Sequence, residues 1–161
     1  MAQTVATTWC WGNRRLDRDR SRVNAVVDTN VIAYFLLNTP KFASEARAFM
    51  EALDDAWAPA VWEAELANVL WMSARHNVVT IDEAATRLSL AGRLGVHSVS
   101  NRALWHGALV RAHESKAAVY DALFVELAVR EQLPLATFDT GLLKTFPGVA
   151  VRPSELLRQQ T

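Results

Sequence analysis

Short apolar segments that alternate with helical patterns constrain the fold of this chain most strongly. The first segment, Val23–Val27, is long enough for one buried strand, and a helical pattern follows it as far as about Leu37. Further short apolar segments occupy residues 57–59, 96–99, 133–137 and 149–151. Because strands that alternate with helices form parallel sheets covered by helices, we expect a three-layer α/β/α domain with a central, mainly parallel sheet.

Capping residues and prolines indicate where the helices between these strands begin. Thr39-Pro40 predicts the start of a helix that continues to about Asp54. Residues 80–83, Thr-Ile-Asp-Glu, form a capping box that predicts a helix to about Leu94. Ser100 is expected to cap the helix after the third strand. The other helical patterns cover residues 61–75, 117–132, 141–144 and 153–158.

The composition is that of one compact domain. The chain has 161 residues, of which 51% are hydrophobic, and this is enough for a single core. No apolar run approaches the roughly 20 residues that cross a bilayer, so we predict no membrane partner. A single cysteine, Cys10, excludes an internal disulfide and fits a reducing cytoplasm. The tryptophans at positions 57, 62, 71 and 105 fall in apolar patterns and are expected in the core.

The N-terminal segment differs from the rest of the chain in charge. Residues 1–22 hold five arginines and two aspartates without a periodic apolar pattern. We therefore predict a disordered leader there and one folded domain over residues 23–161. Without the leader, the chain has 12 basic and 15 acidic side chains, a net charge of −3. This body lacks the basic excess that nucleic-acid-binding proteins usually show.

Three aspartates occupy positions where their charge needs compensation. Asp28 follows the first strand and Asp139 the fourth, at the carboxyl ends of parallel strands, where α/β sheets build their sites. Asp121 lies near the start of an otherwise apolar helix. Buried carboxylates are costly unless something positive offsets them, and oxygen ligands suit Mg²⁺ or Mn²⁺. The alternative is that Asp28 and Asp139 serve only as helix N-caps.

The helix over residues 61–75 offers two candidates for a fourth acid. At 100° per residue, Glu63 and Glu65 lie at nearly equal angles on opposite flanks of the apolar face that includes Trp62 and Leu66. Periodicity therefore leaves the choice between the two glutamates open.

Four segments together resemble the PIN-domain family of metal-dependent ribonucleases, and most closely the toxins of VapBC toxin–antitoxin pairs. The segments read VVDTNVI at 26–32, ELANVL at 65–70, YDALFVELA at 120–128 and LATFD at 135–139. The residues that this resemblance implies for the catalytic and metal-binding site are Asp28, Glu65, Asp121 and Asp139, with Asn30 and Thr137 in support. The family pattern thereby selects Glu65 over Glu63.

The same resemblance implies a reaction and partners. Mg²⁺ or Mn²⁺ held by the four carboxylates would bind RNA phosphate and lower the pKa of a water for in-line attack on phosphorus. A homodimer and a small antitoxin whose tail enters the acidic groove are also implied. An apolar surplus on the early helices and second strand, at Phe35, Leu36, Phe49, Trp57 and Trp62, favours the homodimer as well.

The sequence is compatible with two other functions. One is a non-catalytic PIN-like module that binds RNA or protein, although such a module has no physical reason to keep four mutually repelling acids. The other is an aspartyl-nucleophile phosphatase in which Asp28 attacks phosphorus. That chemistry usually places a second aspartate two residues later, where this chain has Asn30. Metal-dependent cleavage of single-stranded RNA distinguishes the three functions.

Overall fold

The computed structural model describes residues 22–159, and within that range it contains five strands and eight helices. The strands are β1 (Val23–Val27), β2 (Leu53–Pro59), β3 (Val96–Val99), β4 (Leu135–Ala136) and β5 (Ala150–Val151). The helices are α1 (Thr29–Leu37), α2 (Ala43–Ala52), α3 (Val61–Arg75), α4 (Ile81–Ala91), α5 (Asn101–Ser115), α6 (Val119–Glu131), α7 (Thr140–Thr145) and α8 (Pro153–Arg158). This alternation of strands and helices confirms the α/β class.

The sheet has the order β3-β2-β1-β4-β5, and every pair of neighbouring strands is parallel. The chain moves outward from β1 to β3 and then returns to the other side of β1 to form β4. Right-handed crossovers in opposite directions place their helices on opposite faces of a sheet, which gives the three expected layers. The order reverses between β1 and β4, and such a switch point is where α/β sheets open a crevice for ligands.

Burial explains why β1 and the middle of α6 are largely apolar. The β1 strand lies in the middle of the sheet with helices over both faces, and four of its five residues are buried. In α6, every residue from Ala122 to Ala128 is buried, as expected of a helix packed between the sheet and another helix. Phe49, Ile32 and Leu66 are among the largest fully buried side chains.

The predicted bounds of α2 and β2 were wrong. Residues 39–42 form a turn in which the carbonyl of Thr39 accepts hydrogen bonds from both Phe42 and Ala43, so α2 begins only at Ala43. It ends at Ala52 because the next residue, Leu53, already pairs with Val23 of β1. The two acids that follow Leu53 conceal this strand from an apolar pattern, and pairing across the sheet overrides it.

Other expectations were partly confirmed. The capping box at Thr80 and Glu83 is present, but α4 ends at Ala91 instead of Leu94. Ser100 stands at the N-cap of α5 without a side-chain capping bond. The predicted strand over residues 133–137 is reduced to Leu135–Ala136.

The large apolar side chains are distributed differently from the prediction. Trp71 and Trp105 are 50% and 51% exposed, so only two of the four tryptophans, Trp62 and the partly buried Trp57, pack into the core. Conversely, the apolar surplus assigned to a dimer surface packs within the chain, because Phe49 is fully buried and Phe35 and Leu36 are partly buried.

The predicted leader lies outside the described residues, except for its last residue. Arg22 donates to Asp54 at 2.9 Å, an exposed ion pair next to the start of β1. Within residues 22–159, no helix combines the length and the apolar character that crossing a membrane requires.

Candidate active site

The ends of β1 and β4 bring Asp28 and Thr137 into contact, although 109 residues separate them. Val27 pairs with Ala136, and the N–H of Asp28 donates to the carbonyl of Ala136 at 3.0 Å. Asp28 and Thr137 directly follow these two strands and therefore lie at the switch point of the sheet. There the hydroxyl of Thr137 donates to Asp28 Oδ2 at 2.5 Å.

Asn30 reinforces this junction between the two strand ends. Its Nδ2 donates to Asp28 Oδ2 at 2.7 Å and to the hydroxyl of Thr137 at 3.2 Å. Its Oδ1 accepts from the backbone N–H of Phe138 at 3.1 Å. Both predicted supporting residues, Asn30 and Thr137, therefore touch Asp28 and hold one of its oxygens in place.

The structure separates the two glutamates of α3. Glu65 turns toward the end of β1, where the hydroxyl of Thr29 donates to its Oε2 at 2.5 Å. Glu63 is exposed and turns toward β3 instead, where its Oε1 accepts from Ser98 at 2.6 Å. Ser98 in turn accepts from the indole N–H of Trp62. Of the two, only Glu65 lies beside Asp28.

Asp121 and Asp139 complete the group, and they are held differently. Asp139 is the N-cap of α7, and its Oδ1 accepts from the N–H of Leu142 at 2.9 Å. Asp121 lies in the first turn of α6, where the helix dipole favours a negative charge. Its carboxylate makes no hydrogen bond to any residue in the described part of the chain. One oxygen each of Glu65 and Asp139 is also without a hydrogen-bond partner among those residues.

The four carboxylates are close enough for their charges to interact. Burial raises the pKa of Asp28 to about 6; the charges of Glu65 and Asp121 add to this, and the bonds from Thr137 and Asn30 oppose it. Burial also raises the pKa of Glu65, against the bond from Thr29 and with the charge of Asp121. Asp121 has its pKa raised by burial and by the charge of Asp139. Repulsion thus connects all four acids, with Asp121 between the others.

No cation in the described part of the chain forms an ion pair with the four acids. Within residues 22–159, the ion pairs of Lys, Arg and His involve other acids: Glu45, Asp54, Asp55 and Glu126. The donor set is made of oxygen only and suits a hard divalent cation such as Mg²⁺ or Mn²⁺. The side chains are not gathered around one point, since no three His, Cys, Asp or Glu of that range stand close enough to hold an ion as they are.

Comparison with known proteins identifies the family of this arrangement. The profile of the PIN domain matches residues 25–146, which is more than half of the chain and includes all four acids. The chain belongs to the PIN-domain family. PIN domains are generally nucleases. No curated protein matches the chain.

Two solved structures share the fold of this PIN domain. The crystal structure of PAE2754 from Pyrobaculum aerophilum is 24% identical with a TM-score of 0.63, and the match covers 86% of this chain and 97% of that one. A toxin–antitoxin complex from Klebsiella pneumoniae contains a chain that is 21% identical with a TM-score of 0.56; the match covers 81% of this chain and 98% of that one. At these identities the likeness concerns the fold.

The sequence-based interpretation did not indicate one polar residue of this PIN domain, Thr29. It also treated helix capping and a place in the acidic site as alternatives for Asp28 and Asp139, although both acids do both. Thr29 orients Glu65, and the signal for it was a hydroxyl side chain directly after the acid that ends β1. Asp28 caps α1 by accepting from the N–H of Asn30 at 3.3 Å, and Asp139 caps α7. Both acids nevertheless keep their place in the acidic group, so capping did not exclude a place at the site.

Proposed function

We propose that this protein is a Mg²⁺- or Mn²⁺-dependent ribonuclease that hydrolyses phosphodiester bonds of RNA. The observation that carries the proposal is the group formed by Asp28, Glu65, Asp121 and Asp139, which interact without a cation partner in residues 22–159. A protein rarely tolerates several half-buried, mutually repelling acids unless a function compensates them. Membership of a nuclease family supports the same interpretation.

The four acids and their partners have distinct tasks in this proposal. Asp28 is the most constrained, because Thr137 and Asn30 hold its Oδ2 and fix its orientation. Glu65, Asp121 and Asp139 each offer at least one oxygen that is free of hydrogen bonds among the described residues. An Mg²⁺ or Mn²⁺ ion bound by these carboxylates would supply positive charge for the phosphate and acidify water for attack on phosphorus.

The charge of the body is consistent with a need for such an ion. Residues 23–161 carry a net charge of −3, and the acidic group by itself repels a phosphate backbone. Binding of RNA at this site should therefore depend on the divalent ion more steeply than on monovalent salt.

We further propose that the protein is the toxin of a toxin–antitoxin pair, acting on RNA in the cytoplasm. The support is the PIN fold shared with a chain of a toxin–antitoxin complex from Klebsiella pneumoniae. A small antitoxin would place a tail in the acidic crevice. A small open reading frame directly upstream, whose product copurifies with this chain, is the expected observation.

A homodimer is part of the proposal, on a surface other than the one first expected. Half-exposed Trp105 and Leu109, which is exposed by 60%, lie one turn apart on the same face of α5, and Val110, exposed by 56%, lies on the next flank. An exposed apolar cluster of this kind on a helix is typical of an interface, and a second copy of the chain is the partner that we propose for it.

The phosphatase alternative is disfavoured by the surroundings of Asp28. The position where an acid/base aspartate would be needed holds Asn30, and its amide is engaged by Asp28, Thr137 and the N–H of Phe138. Only the cleavage experiment described next distinguishes a nuclease from a non-catalytic module that binds RNA or protein.

Cleavage of a fluorophore-labelled single-stranded RNA tests the proposal. The wild-type protein should cut it with Mg²⁺ or Mn²⁺, stop when EDTA is added, and resume when the ion is in excess. Asp121→Asn protein purified in parallel is the control for contaminating nucleases and should be inactive. RNA binding without cleavage at any divalent-ion concentration would instead establish the non-catalytic module.

A further inference from the structure

Glu126 is a buried carboxylate that lies outside the acidic site and joins α6 to α5. Its side chain is only 7% exposed. Arg111 of α5 donates from Nε to Oε2 at 2.6 Å, and Arg130 of α6 donates from Nε to Oε1 at 2.5 Å. Burial disfavours the charge of Glu126, but the bonds from the two arginines outweigh it and lower its pKa. The carboxylate is therefore ionised and paired on both oxygens.

Gly107 shapes the place where this carboxylate sits. A Cβ built at Gly107 would overlap the Glu126 carboxylate, so any larger residue there forces that carboxylate to move. Glycine in the middle of a helix such as α5 is unfavourable relative to alanine, and the chain accepts that cost at this position. Arg130 adds a second connection, since its Nη1 donates to the carbonyl of Ala103 in α5 at 2.6 Å. Gly107, Arg111, Glu126 and Arg130 are called the α5–α6 clamp below.

The α5–α6 clamp provides directional hydrogen bonds, whereas the other contacts between α5 and α6 are mainly apolar. Apolar contacts are non-directional, and apart from Glu126 the buried residues of α6 from Ala122 to Ala128 are all apolar. Such packing resists large displacements of the helix, but it supplies no directional bond that fixes small rotations. The ionic hydrogen bonds of Glu126, made in the space beside Gly107, define both the rotation of α6 and its position along the helix axis.

Asp121 depends on the placement of α6 more than the other site acids do. Asp28, Glu65 and Asp139 each accept a hydrogen bond that orients the carboxylate. Asp121 accepts none from the described residues, so the backbone of α6 sets its position. Glu126 lies five residues further along the same helix, about 7.5 Å along its axis.

We propose that the α5–α6 clamp is the positioning device for Asp121: by seating Glu126 against Gly107, it sets the register of α6 and thereby places Asp121 beside the other three acids. The residues of the clamp are positioning residues, since none of them touches the acidic group. The proposal rests on the proposed function for its consequence in metal binding, but its structural part can be tested without any metal or RNA.

The single variant Gly107→Ala tests the proposal most directly. The double variant Gly107→Ala/Glu126→Asp is designed to reverse its effect. The methyl group expels the Glu126 carboxylate from its notch, although alanine by itself favours a helix. Aspartate at position 126 withdraws the carboxylate by roughly 1.5 Å, one carbon–carbon bond, and restores room for both groups. A glycine unrelated to Glu126 would give a protein that improves with alanine and gains nothing from the second change.

Fluorine NMR on protein labelled with 3-fluorotyrosine reports the position of α6 directly. The whole chain has two tyrosines. Tyr120 precedes Asp121 and is 64% exposed, whereas Tyr34 stacks on Phe42 and serves as the internal reference. We expect the Tyr120 signal to shift or split in Gly107→Ala, to return in the double variant, and the Tyr34 signal to stay constant throughout.

Mn²⁺ titration by calorimetry measures the consequence for the site. We expect Gly107→Ala to bind Mn²⁺ at least tenfold more weakly than wild type, and the double variant to recover most of that loss. Leu104→Ala is the matched control, because Leu104 is buried and its truncation opens a cavity under α5 without touching the clamp. It should lower the melting temperature and leave both the Tyr120 signal and the Mn²⁺ affinity unchanged.

Each contrary result overturns a defined part of the proposal. An unchanged Tyr120 signal in Gly107→Ala, or a shifted signal with wild-type Mn²⁺ affinity, refutes positioning by the clamp. If wild-type protein neither binds Mn²⁺ nor cleaves RNA, the proposed function fails, while the Tyr120 signal still decides whether the clamp sets α6. Should Gly107→Ala not fold, Glu126→Gln removes the charge at almost unchanged shape, and the same two measurements apply to it.

Discussion

Replacing Asp28 with asparagine should abolish RNA cleavage and at the same time stabilise the folded protein near neutral pH. The two effects have one cause. Asp28 is 9% exposed and carries its charge beside Glu65 and Asp121, and burial together with these charges raises its pKa to about 6. In the metal-free protein, the charge that the proposed reaction requires is therefore a cost to folding.

The size of the effect follows from the pKa. Raising the pKa from 3.8 to about 6 means that ionised Asp28 destabilises the folded state by about 3 kcal/mol well above that pH. The asparagine side chain has a single acceptor oxygen, and the weakened bonds to Thr137 and Asn30 remove about 1 kcal/mol. A net gain of about 2 kcal/mol in the free energy of unfolding is expected for Asp28→Asn at about pH 7.5.

The pH dependence has a definite sign. Because the folded-state pKa of Asp28 is raised, the folded protein binds the extra proton and the penalty on wild type shrinks as the pH falls from about 6 to about 4. The stability advantage of Asp28→Asn should consequently fall to about 0.5 kcal/mol at about pH 5, and vanish or reverse near about pH 4.

Urea denaturation of the metal-free protein in EDTA at several pH values measures this advantage. Glu114→Gln, a change at an exposed acid, is the control and should alter stability little at any pH. A constant difference between Asp28→Asn and wild type from about pH 5 to about pH 7.5, or a loss of stability near neutrality, would refute the electrostatic reasoning. Retained RNA cleavage would remove Asp28 from the site.

Four further predictions concern the site, the leader and the interface. Glu65→Gln should reduce RNA cleavage at least a hundredfold and Glu63→Gln at most a few fold in matched kinetic assays; equal losses would show that the wrong glutamate was chosen. Thr29→Val, which keeps the shape but loses the bond to Glu65, should lower the cleavage rate about tenfold with little change in melting temperature, and an unchanged rate would contradict an orienting role. A chain beginning at Val23 should melt and cleave like the full chain, with a slightly weaker salt dependence of RNA binding; a large drop in melting temperature would mean that the leader packs on the domain. Light scattering should give a dimer for wild type and a monomer for Trp105→Glu, and a wild-type monomer at micromolar concentration would count against the interface.

Local patterns were sufficient where the structure is set by nearest neighbours along the chain. The apolar run of β1, the capping box of α4 and the bounds of α3 are local features, and all three were predicted correctly. The parallel sheet could be predicted from alternation alone, because covering both faces of such a sheet requires a helix after almost every strand. The positions of Asp28 and Asp139 after strands followed from the same pattern.

Pairings across the sheet could not be predicted in this way. The early start of β2 depends on its register against β1, which no local apolar pattern encodes around Asp54 and Asp55. Trp71 of α3 and Trp105 of α5 are exposed because neighbouring elements leave that side of each helix uncovered. Both are properties of elements that meet only after folding.

The amino-acid sequence by itself determined the α/β class, the family and the acids that end the strands, because hydrophobic periodicity and strand-end positions are properties of consecutive residues. Only the tertiary structure decided between Glu63 and Glu65 by contact, joined Asp28 to Thr137 and seated Glu126 against Gly107. Those contacts link residues up to 109 positions apart. They depend on strand register and helix packing to within a fraction of an ångström, and hydrogen bonds weaken steeply beyond that tolerance.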